Sequence, residues 1–487
     1  MIFYGVSQFL SDELRAVKMC FPLYLYILGS FVFSAQVLVY FAAQMGDNYL
    51  AGIGLGSAVY GKTLAIFMLG FSSVFDIYGP QMCGKKKQKE LGQLLVKILI
   101  QGFVGFLIFL IPYFVMIFCL DKIPVPTDMR NEEVNMIASD FMMKAWFLAY
   151  LHFVVECFLK FFINQKAFLV SYAIAFGNAL ANLMFCVIFI TKFGMKTDGL
   201  ILSLALSKVA MIGICVGTSV WRRKEWNMIG LVNKNTFKNW GEMFNLGMVS
   251  GFSLCLIFSG HLAKEFLSQV GGQVTVDVIV LSDRMVTIAW PAGVSIAYSA
   301  AIMINNALGE GDADKVKYMM GLNLFNALLE RACFIALHLP TRYWYFSLFT
   351  DDPVVLSRVM IASNVYLGLL VLANVIELLN RGVLIAMGKA VYVITVTSCC
   401  ACFVGIPTMC VLAYTTDLRA VGLLLGLVAE RVVEVAVFSI KTLTLDIPKE
   451  IEECKERLEK EQQQSDTDCT LVDNEKLPTY YGGEGLG

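Results

Sequence analysis

About twelve apolar stretches divide this chain, each long enough to cross the roughly 30 Å of hydrocarbon in a bilayer. They fall near residues 18–43, 50–80, 93–120, 136–159, 165–191, 197–220, 241–268, 274–305, 318–340, 357–386, 390–414 and 418–442. A backbone in lipid must satisfy its own N–H and C=O groups, so such runs fold as membrane helices. Composition agrees, with 57% hydrophobic and 16% charged residues, against roughly 45–50% and 25% in soluble domains. The expected class is therefore all-α integral membrane, with about 12 transmembrane helices.

Several other classes lose support. The formal net charge of −1 gives no reason to expect a nucleic-acid partner. The 14 cysteines lack the paired spacing of a secreted disulfide framework. Cys399, Cys400 and Cys402 share one apolar run and read as buried thiols. No zinc-binding spacing, phosphate loop or nucleophile constellation is present, so no metal, no cofactor and no enzyme activity is expected. The first 17 residues mix Asp12, Glu13 and Arg15 with apolar residues, unlike a cleavable signal peptide.

The organisation expected is a cytoplasmic N-terminal segment (1–17), a six-helix lobe (18–220), a cytoplasmic linker (221–240), a second six-helix lobe (241–443) and a charged, disordered tail (444–487). Lys85, Lys86, Lys87, Lys89, Lys160, Arg222, Arg223, Lys224, Lys234, Lys238, Lys315, Lys317 and Lys389 would all lie on one side. That bias puts both termini in the cytoplasm. Internal repetition supports the two lobes. Asn164-Gln-Lys166-Ala167 stands 223 residues before Met387-Gly-Lys389-Ala390, and Gly199-Leu200 stands 223 before Gly422-Leu423. Secondary transporters often carry such repeats, with the substrate site between them.

Polar residues inside the spans mark the candidate sites. A charge at a helix centre in lipid costs roughly 2.5–3.5 kcal/mol on translocon scales. Asp277 and Asp283 lie in one long apolar run, and Asp283 is the leading candidate for an ion, proton or substrate site. Asn374 and Glu377 share a helix face at i, i+3. Asn178 and Asn182 share one at i, i+4, where interhelical hydrogen bonding competes with a transport role. Asp76, Gln36 and His261 complete the set; the histidine would change charge between pH 5 and 8. Glu156 and Lys160 read as a simple i, i+4 pair, and Glu430, Arg431 and Glu434 as a partly neutralised cluster. For Lys62 two readings stand open, snorkelling to the interface or pairing with an acid.

Particular segments resemble a known family. Gly70-Phe-Ser72-Ser73-Val-Phe-Asp76 followed by Gln81-Met-Cys-Gly84, Asn178-Ala-Leu-Ala-Asn182, Pro291-Ala-Gly-Val-Ser-Ile-Ala with Asn306-Ala-Leu-Gly309-Glu-Gly311, and Gly382-Val-Leu with Gly388 occur in this order. Together they resemble the multidrug and toxic compound extrusion (MATE) transporters, closest to the eukaryotic branch. The resemblance implies two six-helix lobes in a V around a central cavity, and antiport of organic cations against protons or sodium ions. It also exposes departures. The family's seventh-helix glutamate falls on Ile257, the eighth-helix one on Ser282 beside Asp283, the tenth-helix one on Asn374, and the second-helix asparagine on Gly61.

The function expected is a secondary antiporter that exports organic cations and other xenobiotics in exchange for protons. Sodium is disfavoured because no cluster of several carboxyl and carbonyl oxygens is visible in the sequence. The alternative is a non-transporting or lipid-handling, flippase-like protein on the same scaffold, kept open by the missing seventh-helix acid. The partners expected are a small organic cation and the lipid bilayer, with the protein acting as a monomer at the plasma membrane.

Overall fold

The computed structural model describes residues 6–76, 78–79, 88–120, 122, 131–165, 167–222 and 240–453. Most of the 221–240 linker, Lys85–Lys87 of the basic loop, and the tail beyond residue 453 lie outside the described residues. The described chain is helical throughout. Its long helices are α1 (Ser11–Gln44), α2 (Asp47–Asp76), α3 (Leu91–Leu120), α4 (Glu132–Asn164), α5 (Leu169–Lys192) and α6 (Thr197–Trp221). Then follow α7, bent by 49° between Trp240–Ile257 and Ser259–Gly271, and α8 (Gln273–Glu310), α9 (Ala313–Ser347), α10 (Pro353–Ile385) and α11 (Ala390–Thr415). The last is α12 (Ala420–Leu443).

Ten of these are long and apolar enough to span a membrane, and the bent α7 makes eleven. The twelfth, α12, carries Glu430, Arg431 and Glu434 near its middle. Helix starts follow local chemistry. Asn131 caps α4 by accepting from the backbone N–H of Glu133 and Val134. Asp352 accepts from Val354, with Pro353 at the first helical position of α10. Gly311, at φ 75°, ends α8, and Asp312 then caps α9 through the Lys315 N–H at 2.9 Å.

Helices α1–α6 and α7–α12 pack along two seams. Near the starts of α2 and α8, a side chain at Gly54 would come within 2.6 Å of Val280, so the glycine permits the approach. Asn131 extends this seam, donating to Asn48 at 3.2 Å and Gln273 at 2.9 Å. Near the other end of α2, Gly70 lies against the backbone of Gly251 on α7, where an added Cβ would stand 2.7 Å away. Phe67 stacks edge-on against Phe252 there, with centroids 5.4 Å apart. On that same face Ala16 of α1 packs with Leu308, Val316, Met387, Ile447 and Ile451. The first and last described segments therefore share one face. The short helix at 447–453 docks there, with Glu450 paired to Lys389 at 2.7 Å.

Candidate functional site

Between the two seams lies a cavity of about 420 Å³, lined from both halves of the chain. The first half contributes Ser30 and Ser34 of α1, Tyr60 and Lys62 of α2, Phe141 and His152 of α4, and Lys208 of α6. The second half contributes Phe258 and His261 of α7, Asp283, Arg284 and Trp290 of α8, Arg331 of α9, Tyr366, Asn374 and Glu377 of α10, and Arg431 of α12. Three of the wall helices widen at the cavity. π-Helical turns at Leu28–Val32, Gly61–Ala65 and Leu378–Ile385 carry Ser30, Lys62 and Asn380. Such inserted residues recur at functional sites.

A four-charge cluster stands at one side of the cavity, with Lys62 and Asp283 on the wall and Lys264 and Glu265 behind it. Lys62 donates to Glu265 and, at 2.7 Å, to Asp283. Lys264 donates to Asp283 and, at 2.8 Å, to the Tyr366 hydroxyl, and stands 3.2 Å from Glu265. Tyr366 in turn donates to Asp283. Lys264 and Glu265 are fully enclosed, at 0% and 1% exposure. Two ammonium groups face two carboxylates, so the cluster is formally neutral, the arrangement under which buried charges are tolerated. Lys62 is its one member from the first half of the chain.

Further pairs surround it. Arg381 holds Glu377 at 2.7 Å. Glu330 lies 3.2 Å from Arg331 and accepts from Asn374 at 3.0 Å. Asn374 also donates to the Ala327 carbonyl at 2.6 Å. On α12, Arg431 sits between Glu430, at 3.2 Å, and Glu434. Gly405 leaves the room that the Glu430 carboxylate occupies, since a Cβ there would lie 2.1 Å from it.

The residues singled out in the sequence separate into two groups. Asp283, Glu377, Asn374 and His261 line the cavity. The others do not. Ser282 is buried and bonds the Val278 carbonyl of its own helix at 2.6 Å. Asp277 is buried near the start of α8, away from the cavity wall. Gln36 bridges helices, donating to the Arg284 carbonyl at 3.0 Å and accepting from Tyr345 at 3.2 Å. Asn178 donates to Ser34 at 3.3 Å, and Asn182 accepts from Cys186 at 3.7 Å. Asp76 is half-exposed at the end of α2 and pairs with Lys160 at 2.6 Å.

Two expectations are corrected. Of the three cysteines read as buried thiols only Cys400 is buried; Cys399 and Cys402 lie on exposed faces of α11. Glu156 and Lys160 do not form the simple pair that their spacing allows. Tyr26 donates to Glu156 and His152 stands 3.8 Å from it, while Lys160 turns to Asp76 and Ser72. On the seventh helix Ile257 itself lines the cavity. Glu265, eight residues further on and past the bend at Phe258, is enclosed behind the wall and pairs with Lys62. Lys264, Glu265, Tyr366, Lys208 and Arg284 join the site without having been expected there. A Lys-Glu pair inside an apolar run is the sequence signal for the first two. Among the described residues, no group of three metal-ligating side chains is assembled.

Comparisons with known proteins agree with this architecture. A family model described as MatE matches residues 26–188. Protein DETOXIFICATION 36 of Arabidopsis thaliana is 23% identical over 435 residues, covering 86% of this chain and 82% of that protein. Multidrug and toxin extrusion protein 1 of Rattus norvegicus is 22% identical over 442 residues, covering 88% and 75%. The crystal structure of the eukaryotic MATE transporter AtDTX14 superposes with a TM-score of 0.76 at 16% identity, over 92% of this chain and 99% of that one.

Proposed function

We propose, from the chain's membership of the multidrug and toxin extrusion (MATE) family, that it exports small, largely apolar molecules through the central cavity in exchange for protons. The protein is a multi-pass membrane transporter and not an enzyme. The exchange is assigned to alternating access, in which two six-helix lobes rock about the site between them. The plasma membrane, with cytoplasmic termini, is the location this reading takes.

The observation that carries the reading is the link from Lys62 to Glu265 and Asp283. It joins the two halves at the cavity wall, between the Gly54–Val280 and Gly70–Gly251 seams. Each face can open only when its own seam separates. A proton on Glu265 or Asp283 removes one of the anions that hold Lys62, and so loosens the bridge between the halves. That ties proton binding to the changeover between states. An organic cation receives no free carboxylate at this wall, because Asp283 is covered by Lys62 and Lys264, and Glu377 by Arg381.

The test is transport in proteoliposomes with pH and sodium gradients imposed separately. Movement of a labelled apolar solute driven by the pH gradient supports the reading. Movement driven by sodium alone, or phospholipid scrambling without solute movement, overturns it in favour of sodium coupling or of a lipid-handling role.

A further inference from the structure

The buried ion pairs of the second half are mostly even. Lys62 and Lys264 face Glu265 and Asp283, Arg331 faces Glu330, and Arg381 faces Glu377. The group on α12 is not even. Arg431 serves two carboxylates, Glu430 at 3.2 Å and Glu434. Residues 430 and 434 are i, i+4, so both acids stand on one face of the helix. Each is fully enclosed, at 0% exposure.

Neither acid has its oxygens satisfied. Both oxygens of Glu430, and Oε1 of Glu434, are enclosed without a hydrogen-bond partner among the described residues. Arg431 gives its aligned bond to Glu434, which also bonds Thr397 of α11. The other helices packed there bring no second cation to the pair. On α7, Gly260 leaves room for the Glu430 Oε2, and its neighbour His261 feels the charge of Arg431. On α11, Gly405 makes room as described above, and Cys400 lies within reach of both acids. On α10 the charge felt by Glu434 is a further acid, Glu377, already held by Arg381. With both carboxylates ionised the triad would carry a net charge of −1 in an enclosed space, which is costly. One shared proton makes it neutral and turns a bare acceptor into a donor.

We propose that the Glu430–Glu434 pair binds one exchangeable proton, at a site separate from the bridge that Lys62 makes between the halves. Thr397 and Arg431 both line the cavity and both bond Glu434, so the pair stands one side chain back from it. A hydronium ion in the cavity gives its proton to a carboxylate oxygen and leaves as water; release is the reverse. Sodium is the other small cation that two carboxylates attract, but among the described residues no group of three metal-ligating side chains forms here. The inference rests on the transport reading for the proton's part in exchange, but not for the binding itself.

The experiment is infrared difference spectroscopy of the full chain in lipid nanodiscs, between alkaline and acidic buffer. The carbonyl stretch of a protonated carboxyl group should appear on acidification and shift in heavy water. Either Glu430→Gln or Glu434→Gln leaves one acid with one arginine, a neutral pair that needs no proton. One carboxyl band should therefore be lost in each, and Glu430→Asp should keep it. The absence of any such band in the unaltered protein overturns the proposal without recourse to variants. So does an unchanged spectrum in whichever glutamine variant folds. Loss of the band when sodium chloride replaces choline chloride at constant pH assigns the pair to sodium and overturns the proton site. If the band is assigned to the pair but a pH gradient moves no solute in proteoliposomes, the transport reading fails and the proton site stands. If the gradient drives transport and the band is missing, the proton site fails and the transport reading stands.

Discussion

Lys62 on α2 reaches 2.7 Å across to Asp283 on α8, from one half of the chain to the other. The same ammonium group also holds Glu265. Removing it leaves Lys264 alone against two carboxylates. Lys62→Met should cost about 3–5 kcal/mol, the range for breaking a buried pair. The double variant Lys62→Met with Glu265→Gln restores neutrality and should be more stable than Lys62→Met alone. Thermal melting of both in detergent decides the matter; a double variant with the summed loss would contradict the balanced cluster.

Asp283→Asn and Glu377→Gln should both abolish solute movement driven by a pH gradient. Their effects on folding should differ. Asp283 is bonded by two lysines and Tyr366, whereas Glu377 has the single arginine Arg381 and is partly open to the cavity. The melting temperature should therefore fall further in Asp283→Asn. Full transport in both variants would remove these acids from the coupling.

The two glycine seams should give opposite biases. Gly54→Leu collides with Val280 and should hold that face apart. Gly70→Leu collides with the backbone at Ser250 and Gly251 and should hold the opposite face apart. Spin labels on genetically encoded keto side chains, placed on both faces, would report the distances. Distance changes of the same sign in both variants would show that the seams do not alternate.

The ion pair and the hydrogen bond that α4 makes with other helices can be told apart by double-mutant cycles. Coupling between Asp76 and Lys160 should be measurable but below about 1 kcal/mol, because Asp76 is half-exposed. The coupling between Glu156 and Tyr26 should be larger, since both are buried.

Gln36→Leu removes two hydrogen bonds that join α1 to α8 and α9. A loss of about 1–2 kcal/mol is expected. Transport should slow without loss of binding, because Gln36 is not among the cavity-lining residues. A change in ligand affinity larger than the change in rate would argue against a purely bridging role.

The helices were legible because a bilayer fixes the length of an apolar run, and all twelve expected spans correspond to helices. The placement of Asp283 and Glu377 at the cavity was legible for the same reason, since a carboxylate in such a run has few other places to go. The partners were not. Lys62 and Glu265 are 203 residues apart, and no spacing along the chain can pair them. The i, i+4 rule misled at Glu156 and Lys160, because Tyr26 and Asp76, from other helices, offered each a closer partner. The role of Glu265 was hidden too, because it lies past the change of direction at Phe258 and meets Lys62 behind the wall that Ile257 lines.

That change of direction has a mechanical side. Lys264 stands about 9 Å beyond Phe258 along a helix rising about 1.5 Å per residue, so a swing of about 10° displaces it by about 1.6 Å. A hydrogen bond has less slack than that. The short arm after Phe258 therefore converts a small tilt of α7 into making or breaking its grip on Asp283. An ion arriving at the cluster and a helix moving in the bilayer are, through this arm, two handles on one latch.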